Sequence, residues 1–155
     1  MLEKNSPINK AQDFNNFSMG EKISIPKINL RGNANNKDFT SKVGKILGII
    51  LPLDVGKITI KEEISIICTG PNEWLIVSNN TIEENDSSFE LENILYENIS
   101  KKNLGAVTNV TDQFTIFSLK GSNIYEVLSK SSPLNFDTLL DNTSAQTLLN
   151  NIDIT

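Results

Sequence analysis

The spacing of apolar residues changes period several times along the chain, and each change marks an element. Lys22–Leu30 (KISIPKINL) alternates at period two around Ile23, Ile25 and Ile28, with Pro26 breaking the ladder, which predicts an edge strand. After the turn-like Arg31-Gly32-Asn33, Phe39, Val43, Ile46 and Leu47 form the stripe of an amphipathic helix. Asn36 or Asp38 suits its start and Gly48 its end. Ile58 and Ile60, then Ile64, Ile66 and Cys68, predict two strands turning at Glu62-Glu63. Gly70-Pro71-Asn72 makes the next turn before a strand at Glu73–Ser78. The acidic stretch Asn79–Asp86 reads as a solvated loop. Ser87-Ser88-Phe89-Glu90 then fits a capping box, opening a helix through Leu91, Ile94, Leu95 and Ile99 that ends near Lys101-Lys102. Strands follow at Ala106–Thr111 and Thr115–Leu119. Gly121-Ser122 opens a short helix carrying Ile124, Val127 and Leu128, closed by Pro133.

From Glu73 the order is strand, helix, strand, strand, helix, with a fourth strand expected near Ala145–Ile154. This is the plan of a ferredoxin-like split βαβ, an α+β class with helices on one face of an antiparallel sheet and the other face free for a partner. The polar first residues lack periodicity and predict an arm over 1–21 that orders only against something else. The remainder, 22–155, is long enough for one core, arranged as two small lobes of about 22–70 and 71–155.

Composition then narrows the function. Glu3 and Lys4 are followed by no apolar run, and the longest apolar stretch, Leu47–Leu53, falls far short of the roughly 20 residues that span a bilayer. A cytoplasmic protein with no membrane partner is expected. The single Cys68 leaves no intramolecular disulfide and no multi-cysteine metal motif, and the sequons at Asn98, Asn109 and Asn142 read as accidents of an Asn-rich chain. A net charge of -5 with basic residues scattered singly apart from Lys101-Lys102 argues against nucleic acid.

The chain contains no histidine, so neutral-pH acid–base chemistry, Ser-His and Cys-His nucleophiles and most zinc sites lose their usual participant. The eight glycines never take a phosphate-loop spacing. Cys68 lies in Ile-Ile-Cys-Thr without a base to activate it and reads as a buried structural thiol. Arg31 is the one arginine beside thirteen lysines, and its planar fork suits a backbone turn or a partner carboxylate. Trp74, the only tryptophan, fits either an interface anchor or core packing at the sheet margin.

Leu30-Arg31-Gly32, Leu47-Gly48 before Leu51-Pro52, Gly70-Pro71-Asn72-Glu73-Trp74-Leu75, Leu119-Lys120-Gly121 to Leu128 with Ser132-Pro133-Leu134, and Ala145-Gln146-Thr147 occur in one order. In that order they resemble the gamma subunit of heterotetrameric sarcosine oxidase over about residues 22–150. Asn72 stands where an acid is more usual. That family continues beyond Thr155 with another strand and helix, so a truncated chain or a reduced final lobe is expected.

The resemblance implies a fold related to the folate-binding domain of aminomethyltransferases, and a non-catalytic subunit with no catalytic, cofactor or metal residue of its own. Its complex would demethylate sarcosine oxidatively to glycine, with the one-carbon unit going to formaldehyde or methylene-tetrahydrofolate and hydrogen peroxide as product. The partners implied are alpha, beta and delta subunits, the beta carrying flavin (FAD, FMN) and the alpha carrying NAD and tetrahydrofolate sites. Arg31, Glu73 and Trp74 are the interface candidates. Two other readings stand beside it: a small folate-binding aminomethyltransferase-like module, with Asp112 as the carboxylate for the pterin, and a free-standing ferredoxin-like domain that binds a ligand at a dimer interface.

Overall fold

In chain order the elements are β1 (Gln12–Phe14), β2 (Phe17–Lys22), β3 (Lys27–Gly32), α1 (Lys37–Leu47), β4 (Ile58–Lys61), β5 (Ile64–Gly70), β6 (Glu73–Ser78) and α2 (Ser87–Leu95). A π-helical turn at Tyr96–Ser100 follows, then β7 (Gly105–Asn109), β8 (Ile116–Lys120), α3 (Ile124–Ser129), a 3₁₀ turn at Phe136–Thr138, β9 (Thr147–Leu149) and β10 (Ile152–Ile154). This computed structural model describes residues 12–14, 16–78 and 87–155. Residues 1–11 of the expected arm, the acidic stretch 79–86 and the Ser87 side chain of the expected capping box lie outside the described residues.

The chain divides into two units, Ile25–Phe114 and Met1–Ser24 with Thr115–Thr155, in place of the expected lobes 22–70 and 71–155. In the first, a five-stranded antiparallel sheet runs in the order β4-β5-β6-β3-β7. Taken as β3-α1-β5-β6-α2-β7, this is the ferredoxin-like split βαβ, with β4 added at one edge. The α+β class and the plan therefore hold, but the plan starts at Lys27 rather than at Glu73. β3 is no edge strand: it bonds to β6 on one side and β7 on the other. Pro26 sits just ahead of it, where a missing N–H costs the ladder nothing, and its carbonyl accepts the Ser78 N–H at 3.1 Å.

Alternation decides which face of this sheet is covered. Ile28 and Leu30, Ile66 and Cys68, and Trp74 and Ile76 point to the side where Phe39, Val43 and Leu47 of α1 meet Leu95 and Ile99. Full burial of each large aliphatic or aromatic side chain here contributes about 1.5–3 kcal/mol. The stripe on α1 is the one expected. Of the two capping candidates Asn36 does the work, its Oδ1 accepting the Asp38 N–H at 2.9 Å and the Phe39 N–H at 3.4 Å. Gly48 closes the helix at φ 65, and Lys61 Nζ donates to its carbonyl at 2.7 Å. After α2 the chain widens by one residue, with Lys101 N–H donating to the Tyr96 carbonyl and Leu104 N–H to that of Ile99.

In the second unit β1, β2 and β8 form a small antiparallel sheet, with Ser18–Lys22 paired to Ile116–Lys120. Within the expected arm, Gln12–Phe14 and Phe17–Glu21 thus pair as strands with one another and with β8. The expected fourth strand is corrected. Asn150 and Asn151 both take left-handed backbone, at φ 49 and 66, and fold the segment back as the hairpin β9-β10 in a sheet of its own. Tyr125 stacks on Phe136 with ring centroids 6.2 Å apart, and the Ser132 and Thr147 hydroxyls lie 3.3 Å apart, joining the Ser-Pro-Leu and Ala-Gln-Thr segments.

Candidate protein-docking face

Leu30-Arg31-Gly32 and Gly70–Leu75 meet through Asn72 ahead of α1, and Trp74 ties them to Pro52 in the segment that follows α1. Gly32 is required there because a Cβ at this position would enter the Phe39 ring, which closes over the strand. Asn72, at φ 64 behind Pro71, holds the adjoining loop twice: its carbonyl accepts Gly32 N–H at 3.1 Å and its Oδ1 accepts Ala34 N–H at 2.7 Å. The acceptor oxygen here is one that either Asn or Asp supplies.

Of the three interface candidates, Trp74 is placed otherwise than as an anchor. Only 1% exposed, it packs on Phe39 at 5.6 Å and donates Nε1–H to the Pro52 carbonyl at 2.7 Å. A tryptophan so buried needs a partner for its indole N–H, and the loop carbonyl provides it. Arg31 and Glu73 lie opposite one another in the β3-β6 register, on the face of the sheet away from the helices. Arg31 Nη2 reaches Glu73 Oε1 at 2.9 Å, and Asn29 Nδ2 donates to the same oxygen at 2.7 Å. Arg31 thus has a carboxylate to bond within its own chain.

Those bonds set the ionisation of Glu73. The Asn29 hydrogen bond, then that from Arg31, hold its carboxyl below the ordinary value of 4.5, against the opposing effect of desolvation. A lowered folded-state pKa means stability that is fully present above the unfolded value and lost as pH falls through the folded one. Because Arg31 is largely exposed, Glu73→Gln is expected to cost only about 0.5 kcal/mol at pH 7. That difference should close in acid below the ordinary glutamate range. Urea midpoints of both proteins at pH 7 and pH 3 check this.

Cys68 is buried, and desolvation, its largest influence, raises its pKa, as befits an inert structural thiol. Asp112 lies exposed in the turn after β7, away from the groove described next. Among the described residues no cluster of His, Cys, Asp or Glu is arranged to hold a metal, and no helix is long and apolar enough to cross a membrane.

The feature that sequence reasoning missed is the segment after α1. Leu51 is buried, but Ile50 is 84% exposed, Leu53 64% and Val55 58%. Beside them runs a groove of about 840 Å³ between α1 and this loop, walled by Ala34, Thr40, Gly44, Ile49, Ile50 and Leu53 with Lys37 and Lys45 among its borders. The loop is not loose. Its ends and middle are pinned by Lys61 Nζ on the Gly48 carbonyl, Trp74 on that of Pro52, Lys57 N–H on that of Asp54, and Gly56 N–H on that of Cys68. An apolar run such as Leu47–Leu53 reads as core in sequence. Only its departure from the helix axis at Gly48 turns half of it outward.

Comparison with known proteins places these features. The family model described as "Sarcosine oxidase, gamma subunit family" matches residues 31–146. A chain of the heterotetrameric sarcosine oxidase from Corynebacterium sp. U-96, solved in complex with pyrrole 2-carboxylate, superposes with a TM-score of 0.75 at 20% identity, over 88% of this chain and 67% of that one. That likeness concerns the fold. No curated relative matches by sequence.

Proposed function

The chain belongs to the sarcosine oxidase gamma subunit family, and from that premise we propose that it is a non-catalytic accessory subunit of a multi-subunit oxidase that demethylates sarcosine to glycine. The observation that carries the reading is the rigid loop presenting Ile50, Leu53 and Val55 to solvent. Large apolar side chains held out on a pinned backbone are what a subunit interface requires, since little ordering entropy remains to be lost on docking. In this reading the flavins FAD and FMN, NAD and tetrahydrofolate reside in the alpha and beta subunits, the delta subunit completes the assembly, and the one-carbon unit leaves as formaldehyde or methylene-tetrahydrofolate with hydrogen peroxide formed.

Co-expression with alpha, beta and delta subunits from the same genome tests it. A tag on this chain is expected to recover the three partners in stoichiometric amounts, with flavin absorbance and sarcosine-dependent peroxide formation in the recovered complex. A colourless monomer recovered alone would overturn the assignment.

A further inference from the structure

We propose that the groove beside α1 seats an amphipathic helix of a partner subunit whose apolar stripe is flanked by carboxylates. This inference rests on the assembly reading above and names the contact that the assembly would use.

Three independent features of the groove converge on that occupant. The first is charge. The chain as a whole carries 19 acidic against 14 basic residues, yet the charged side chains bordering the groove are Lys37 and Lys45, with no carboxylate among them. A partner with aspartates or glutamates beside its apolar stripe would be steered to this site and held in register there. The second is the apolar contact surface, with Ile50 and Leu53 on the pinned loop and Ile49 at the base. Clustered, preorganised side chains of this kind are where binding energy concentrates.

The third is Gly44. It lies inside α1, where glycine weakens a helix relative to alanine. Nothing among the described residues demands it. A Cβ at Gly44 would meet only the Ile49 carbonyl oxygen, at the ordinary contact distance of 3.5 Å. This contrasts with Gly32, where the fold itself leaves no room. A helix glycine that its own fold does not need, on the wall of an apolar groove, is explained by a second backbone approaching from outside. Such close approach between helices requires small residues at the crossing, and Thr40 and Ser41, one turn before Gly44 and between the two lysines, extend the low wall. A helix laid into an apolar groove is a recurring mode of recognition, and α1 offers it about three turns of length.

Substitution at Gly44 separates docking from folding. In the isolated chain, Gly44→Ala is expected to leave the melting temperature unchanged or raised, while Gly44→Leu, which fills the groove, reduces affinity for the co-expressed partner subunits at least tenfold. The pair Ile50→Asp with Leu53→Asp is expected to do the same. Lys37→Glu with Lys45→Glu should weaken binding and reverse its dependence on salt, since salt then screens repulsion from the partner's carboxylates. In hydrogen exchange of the intact complex, the amides of 44–55 should gain protection that the isolated chain lacks. If the wild-type chain recovers no partner, the assembly reading fails. If it assembles normally and Gly44→Leu and the two double variants assemble equally well, the groove assignment fails while the assembly reading stands. Self-association of the isolated chain that these variants abolish would assign the groove to a second copy and overturn the partner helix.

Discussion

Trp74→Ala is expected to lower unfolding free energy by about 3–5 kcal/mol, the range for removing a large aromatic side chain from a core. The indole is 1% exposed and lies against the Phe39 ring, so its loss leaves a cavity between the sheet and α1 that neither rigid wall can fill. A second effect follows from the Nε1–H bond at 2.7 Å to the Pro52 carbonyl. Without it the loop that presents Ile50 and Leu53 loses its central tether, and partner binding should fall even at temperatures where the fold survives. Trp74→Phe separates the two effects. It keeps most of the packing and removes the bond, and should cost less stability than alanine while still loosening the loop. The shift in urea midpoint at unchanged slope reports the first effect, and hydrogen exchange over 49–55 reports the second. With total stabilities of small proteins at 5–15 kcal/mol, the alanine variant should be near the limit of folding.

Gly105→Ala is the second large expectation, at about 3 kcal/mol, the upper end of what overpacking a core costs. Gly105 pairs with Gly32 across β7 and β3, and a Cβ there would fall on the Arg31 carbonyl. That obstacle is backbone of an interior strand, already bonded to β6, so β3 cannot yield and β7 must move away. The expected signature is local as well as global: faster exchange of the β7 amides, with the β5-β6 pairing retained. An Ala106→Gly control, on the exposed position next to it, should change the midpoint far less.

What could be read in sequence divides along physical lines. α1 was fully legible because its signals are local: Phe39, Val43 and Leu47 on one face, Asn36 at one end and Gly48 at the other. The strands at Ile64–Gly70 and Glu73–Ser78 and the turn between them were legible for the same reason. Pairing was not, since period-two alternation says which face a side chain takes and nothing about which strand lies alongside. Pro26 was read as a mark of an edge strand within Lys22–Leu30. The same proline instead falls between β2 and β3, just inside the unit that begins at Ile25, and that one difference moved the whole ferredoxin-like plan from Lys27 to Glu73. Trp74 shows the limit at the level of a single side chain. The turn before it was recognisable, but its burial depends on Phe39 and Pro52, and those contacts exist only once α1 has docked.

The placement of Ile25–Phe114 inside the sequence of the other unit has a consequence for synthesis. As the chain leaves the ribosome from its N-terminus, every strand of the five-stranded sheet has emerged by Asn109. Its beginning and end are joined as soon as they meet, Val110 N–H to the Lys27 carbonyl and Lys27 N–H to Thr111 Oγ1. β2 can pair at once only with β1; its other neighbour, Ile116–Lys120, appears after the entire inserted unit. Domains folding as units during translation complete in the order in which their last strand is made. One edge of Phe17–Lys22 therefore stays unpaired until nearly all of the chain described here has been made.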